Sequence, residues 1–150
     1  MIRRMIAVLS EKRGSAAIEF ALISPVFVIL LIGVTELGFA GLGAMRVQDA
    51  AEAGALYAQV HGWNSAGIVS AVTNATGATG LTATPAPVNF CGCPGADGVT
   101  AITCTDTCAD GSTPGQYITV SASMPRLSIM PGTITTLPDT LTAHSTVRIQ

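Results

Sequence analysis

The sequence is short of charge and of aromatic rings: 11% of its 150 residues are charged and 5% are Phe, Trp or Tyr. After position 13 the basic residues are Arg46, Arg126 and Arg148 alone. No basic patch exists to neutralise phosphates, which excludes a nucleic-acid binder. Catalytic signatures are missing too. There is no G-x-S-x-G elbow, no phosphate loop and no His-Glu metal motif. The two histidines, His61 and His144, fall in different predicted elements. No cofactor is implied, and no constellation motivates an enzyme. Disorder is disfavoured as well, because the chain is 49% hydrophobic and weakly charged. Bulk apolar residues concentrate in residues 18–47; the Ala- and Thr-rich remainder predicts a modest core.

What is present is sharply placed. Arg3, Arg4, Lys12 and Arg13 all precede the apolar run, and residues 11–20 read EKRGSAAIEF. From Phe20 to Thr35 there is no charge. A span needs about 20 mostly apolar residues, and Ile18 to Phe39 supplies them, with Glu19 and Glu36 near its two ends, close to the headgroups. The positive-inside rule puts the amino terminus in the cytoplasm and the rest across the membrane. Pro25 predicts a kink, and Gly33, Gly38, Gly41 and Gly43 permit close helix approach or a break.

Three readings of this segment compete: a plain anchor, a secretory signal cut after Gly38-Phe39-Ala40, and a basic leader cut after Gly14. The third gives Glu19 a role. A cut at Gly14 makes Ser15 the new amino terminus. Ser15 and Glu19 are i and i+4 on one helix face, so the carboxylate reaches that amine or a neighbouring subunit's. After Gly14 three basic residues face eight acidic ones, a net charge of −5.

The run RGSAAIEFALISPVF resembles the amino-terminal signature of TadE-like proteins, pseudopilins of the tight adherence (Tad) pilus system. Gly14 stands at the family's cleavage site, Glu19 at the fifth mature position, Phe20 at the aromatic sixth, and Pro25 in the apolar helix. RVQDAAEAGALYA at residues 46–58 is similar to the family's Ala-rich segment after the membrane. The resemblance implies a minor pilin or pseudopilin of a Tad (Flp-type) type IV pilus, placed in the bacterial inner membrane. Its implied partners are a prepilin peptidase, other pilins or pseudopilins, and the Tad assembly proteins. The alternative is a membrane-anchored extracytoplasmic binding domain with no filament role.

Residues 46–62 predict a helix whose small face is Ala50, Gly54 and Ala58, packed on the protein's own sheet or on another subunit. Gly62 ends it. Asn64 caps a second helix with Ile68, Val69, Val72 and Ala75 inward and Gly77 as the stop. Residues 76–87 read as a loop or weak edge strand.

Cys91, Cys93, Cys104 and Cys108 are all the cysteines. Outside the cytoplasm disulfides persist. Four cysteines allow three pairings; Cys91 and Cys93 are too close to bridge comfortably. Two crosslinks between them and the later pair are expected, stapling a Gly- and Asp-rich loop. A zinc site is the alternative, though the spacing departs from paired C-x-x-C. Asp97, Asp106 and Asp110 lack calcium-loop spacing and read as solvated.

Tyr117 to Met124 alternates, with Ile118, Val120, Ala122 and Met124 inward and Tyr117, Thr119, Ser121 and Ser123 outward. Leu141 to Gln150 repeats the pattern, with Leu141, Ala143, Val147 and Ile149 inward. Val99 to Cys104 is read as a further strand. The fold class expected is α+β: a long amino-terminal helix, transmembrane then periplasmic, followed by a small antiparallel-sheet head with a disulfide-stapled loop. The domains expected are a leader at 1–14, a transmembrane helix at 15–44 and an extracytoplasmic head at 45–150.

Overall fold

The computed structural model describes residues 15–129 and 137–149. The expected leader, Gly14 included, lies outside them. In order come α1 (Ser15–His61), α2 (Ser65–Asn74), β1 (Val88–Gly95), β2 (Gly98–Ile102), β3 (Gly115–Pro125) and β4 (Thr140–Arg148). The chain divides into two compact units after Gly38. The fold is α+β, with one long apolar helix followed by an antiparallel sheet.

α1 is one helix of 47 residues with Pro25 inside it. The helical assignment runs through Gly38, Gly41 and Gly43, as the expected single long helix requires. Each Gly costs a helix only about 1 kcal/mol relative to Ala, and the residues between them are helix-compatible. Gly43 also has a packing reason to be Gly: a Cβ there would meet Leu141 Cδ1 at 2.5 Å. α1 ends as expected. Gly62 takes φ +70° and donates its N–H to Ala58 O at 2.8 Å, the left-handed stop that Gly adopts without a Cβ clash.

Asn64 is extended and its side chain accepts from Gly67 N at 3.1 Å, so it caps α2. Ile68 and Val72 are fully buried. Val69 is half-buried, and Ala75, expected inward, is exposed because it lies past the last helical residue.

The sheet runs β2-β1-β3-β4, with every neighbouring pair antiparallel. One correction concerns the cysteine segment. The expected stapled loop is largely a β-hairpin: β1 and β2 pair from Cys91↔Ile102 to Gly95↔Gly98, joined by Ala96 and Asp97. Gly98 at φ +115° lets the chain reverse there. The segment before β1 touches the sheet through one bridge, Thr82↔Ser123, as a weak edge strand would.

The core lies between the sheet and the helices. From α1 come Val47, Ala50, Ala51, Ala55 and Ala58, from α2 Ile68 and Val72, and from β3 Ile118, Val120, Ala122 and Met124. Leu141, Ala143, Val147 and Ile149 pack against this cluster half-buried. The small face of α1 therefore packs on the protein's own sheet. Small residues let the helix backbone approach closely, and a Cβ at Gly54 would clash with both Val72 and Val120.

A second correction concerns the opposite face of β3. Tyr117 and Ser121, expected outward, are buried. Phe90 of β1 stacks on Tyr117 with centroids 5.9 Å apart, and Arg148, opposite Tyr117 in the register, lies over Gly115. β3 is central, so its neighbours on both sides cover what a two-strand reading leaves to solvent.

Candidate functional site

The amino-terminal part of α1 is a bare apolar surface. Phe20, Leu22, Ile23, Phe27, Ile29 and Val34 are each more than 60% exposed. The helix is long and apolar enough to cross a membrane, and its most apolar window has no buried residue. In water such a surface would be costly at about 25 cal/mol per Å²; in hydrocarbon the cost vanishes, and the helix satisfies its own backbone bonds. Thr35 returns its hydroxyl to Leu31 O at 2.7 Å, which hides one polar group inside the helix's own hydrogen bonding.

Ser15 is the first residue of α1, and Glu19 and Phe20 follow within two turns, both exposed. The helix thus brings positions 15 and 19 onto one face, as their spacing requires. Glu36, near the other end of the apolar run, is 1% exposed. Nothing in its local sequence signals this.

The four cysteines form two disulfides, Cys91–Cys104 and Cys93–Cys108, with Cα separations of 5.1 and 5.7 Å. Both join the early pair to the late pair. Cys91 and Cys93 are i and i+2 on β1, so both side chains leave the same face. The hairpin register sets Cys91 opposite Ile102, two residues before Cys104. No free cysteine remains among the four.

Beyond the disulfides, Asp110 holds its own turn. Its Oδ1 accepts from Ser112 N at 2.9 Å and from Ser112 Oγ at 2.7 Å. These bonds favour the ionised carboxylate and hold its pKa below the usual 3.8. Among the described residues no group of three His, Cys, Asp or Glu side chains is arranged to hold a metal ion. His61 stacks on Tyr57 at 4.3 Å, with Nδ1 3.2 Å from Tyr57 O. It packs on its own helix, while His144 sits exposed on β4.

One surface was not foreseen. Between α1 and β4 runs a shallow groove of about 200 Å³ lined by Glu52, Leu56, Gln59, Ser145, Thr146 and Val147. Its signal in the sequence is faint: Leu42, Met45, Leu56 and Val60 are apolar residues on the solvent side of a helix whose small face is buried.

Residues 14–56 match the model of the family described as TadE-like protein. No curated protein and no solved structure matches the chain. The matched segment begins at Gly14, contains Glu19, Phe20 and Pro25, and ends near the close-packed part of α1. From Gly14 to Leu56, then, the chain is similar to TadE-like proteins.

Proposed function

We propose that this chain is a minor pilin or pseudopilin that takes part in assembling a Tad (Flp-type) pilus. In this reading a prepilin peptidase removes residues 1–14, and α1 holds the protein in the bacterial inner membrane. The amino terminus faces the cytoplasm and the disulfide-bonded head lies outside it. The protein acts as a structural component, without cofactor or catalysis. The observation that carries the reading is the family match, because it starts at the Gly14–Ser15 junction and runs on through the exposed apolar helix. A cut there leaves the apolar segment on the mature protein, with Glu19 one turn from the new amine. Charge asymmetry supports the orientation, with four of seven basic residues before the span.

A second reading is kept alive by one observation. The match stops at Leu56, so the head from Tyr57 onward carries no family signal. That head would then be a membrane-anchored binding domain with no filament role. Incubating membranes with the cognate prepilin peptidase and sequencing the amino terminus decides between them. Ser15 as the first residue is expected, and Gly14→Arg should abolish the cut by placing a long cation where a small residue is needed. An intact amino terminus in the wild-type chain overturns the proposal and leaves the anchored domain.

A further inference from the structure

β4 has an open edge. Ile149 N donates to Gln116 O at 3.0 Å, and Arg126 N donates to Asp139 O at 2.8 Å. Both pairs stand opposite each other in the extended β3–β4 register. Hydrogen-bonded and non-bonded positions alternate in an antiparallel ladder. It follows that Leu141, Ala143, Ser145 and Val147 turn their backbone groups toward β3. Thr142, His144 and Thr146 turn theirs away from the sheet. All three are exposed, and among the described residues β4 pairs with β3 alone.

The two edges of the sheet are treated differently. β2 has five residues and is followed at once by the disulfide-bonded segment. β4 has nine residues, with no Pro, Lys, Asp or Glu among TLTAHSTVR. Sheet proteins commonly blunt an edge with charge, Pro or brevity. β4 uses none of these beyond its terminal Arg148, and its β-branched residues favour the extended state.

The groove beside this edge is acidic and apolar. Glu52 and Leu56 of α1 flank Thr146 and Val147, and Leu56 is 62% exposed. Glu52 takes a neutral hydrogen bond from Gln48 at 2.9 Å, which leaves its charge uncompensated by that partner. Its volume and openness are poor for a small molecule, whose pockets hold about 300–1,000 Å³ and enclose the ligand.

We propose that the β4 edge with this groove docks an extended segment of a partner protein that adds as a fifth strand. On the side facing α1 that strand carries a cation, to meet Glu52, alternating with an apolar residue, to cover Leu56. On the other side it presents small β-branched or polar residues to Thr142, His144 and Thr146. Backbone bonds supply affinity and the alternate side chains supply selectivity. Charge decides against a second copy as the occupant. α1 follows β4, with Gly43 at Leu141 and Glu52 beside Thr146. A second copy's β4 would present Leu141, Ala143, Ser145 and Val147 on the side facing α1, none of them a cation to meet Glu52. A cationic strand also suits a chain whose residues after Gly38 carry six acids against three bases. The proposal is independent of processing at Gly14.

The test uses the full chain in detergent micelles and short blocked peptides. The first peptide has Thr at alternate positions, with Lys and Val taking turns between them. The second replaces Lys by Glu. The third is the first with alternate backbone nitrogens methylated. The Lys peptide should slow amide exchange at Thr142, His144 and Thr146 and bind about tenfold more tightly than the Glu peptide. The methylated peptide should lose binding. Glu52→Gln should narrow the Lys–Glu difference while the wild-type fold, read from β3 amide protection, persists. Equal affinity for the two charged peptides overturns the proposal, as does absence of binding or protection away from β4. Concentration-dependent protection of the same three amides without peptide would assign the edge to a second copy instead, and equally overturns it.

Discussion

At Gly54 a Cβ would meet Val72 Cγ2 at 2.6 Å and Val120 Cγ1 at 2.7 Å. Two elements, α2 and β3, converge there on the backbone of α1. At Gly41, thirteen positions earlier on the same helix, a Cβ would meet nothing within 4 Å. The two glycines therefore separate backbone propensity from packing. Replacing Gly by Ala in an open helical position gains up to about 1 kcal/mol. At Gly54 that gain competes with overpacking, which costs about 1–3 kcal/mol in a filled core. Gly54→Ala should lower the stability of the head in urea titration, and Gly41→Ala should leave it equal or raised. The packing argument fails if Gly54→Ala is as stable as the wild type.

The β1–β2 hairpin is the element that most needs covalent help. β2 reads exposed or half-buried throughout, and the main core cluster contains no residue from either strand. Its disulfides close segments of 13 and 15 residues. In the chain-entropy account a closure of this size stabilises by about 3 kcal/mol. Reduction should therefore loosen the hairpin before the rest of the head. The measurement is amide exchange with and without reductant. Val99 to Ile102 should lose protection, while Ile118 to Ala122 on β3 should keep most of theirs, since α1, α2 and β4 hold that strand. Simultaneous loss in both strands would show that the hairpin and the core unfold as one unit.

At the scale of the whole molecule the proposed function turns on Glu19. It lies exposed on a mostly apolar helix surface, where a carboxylate costs about 3 kcal/mol at the bilayer centre. Removing it makes the span more apolar, so insertion should survive in Glu19→Ala. Under the proposed function the carboxylate is the partner of the amine at Ser15, in its own subunit or the next. Cells carrying only the Glu19→Ala chain should show normal membrane levels and no pili by electron microscopy. Wild-type piliation would make Glu19 a tolerated polar residue of an ordinary anchor.

The local elements were written in local signals. The apolar run from Ile18 to Phe39 determined a helix long enough to cross a membrane, by length and transfer cost alone. Asn64 and Gly62 marked their helix ends because capping and left-handed stops act within a few residues. Alternation over Ile118–Met124 and Leu141–Ile149 determined which side of each strand meets the core. The cysteine pattern pointed to early joining late, because two residues of separation do not bridge comfortably, and left a zinc site as the alternative. Tertiary structure decided the remainder. β1 was hidden because Cys, Gly and Pro read as loop, and only pairing with both β2 and β3 holds it extended. The disulfide partners were decided by the hairpin register, which sets Cys91 two residues short of Cys104. Tyr117 and Ser121 were buried by β3's central place in the sheet, a position no single strand's pattern reveals. The open edge of β4 and its acidic groove were likewise decided by strand order and helix docking, long-range contacts whose free energy no short window of sequence contains.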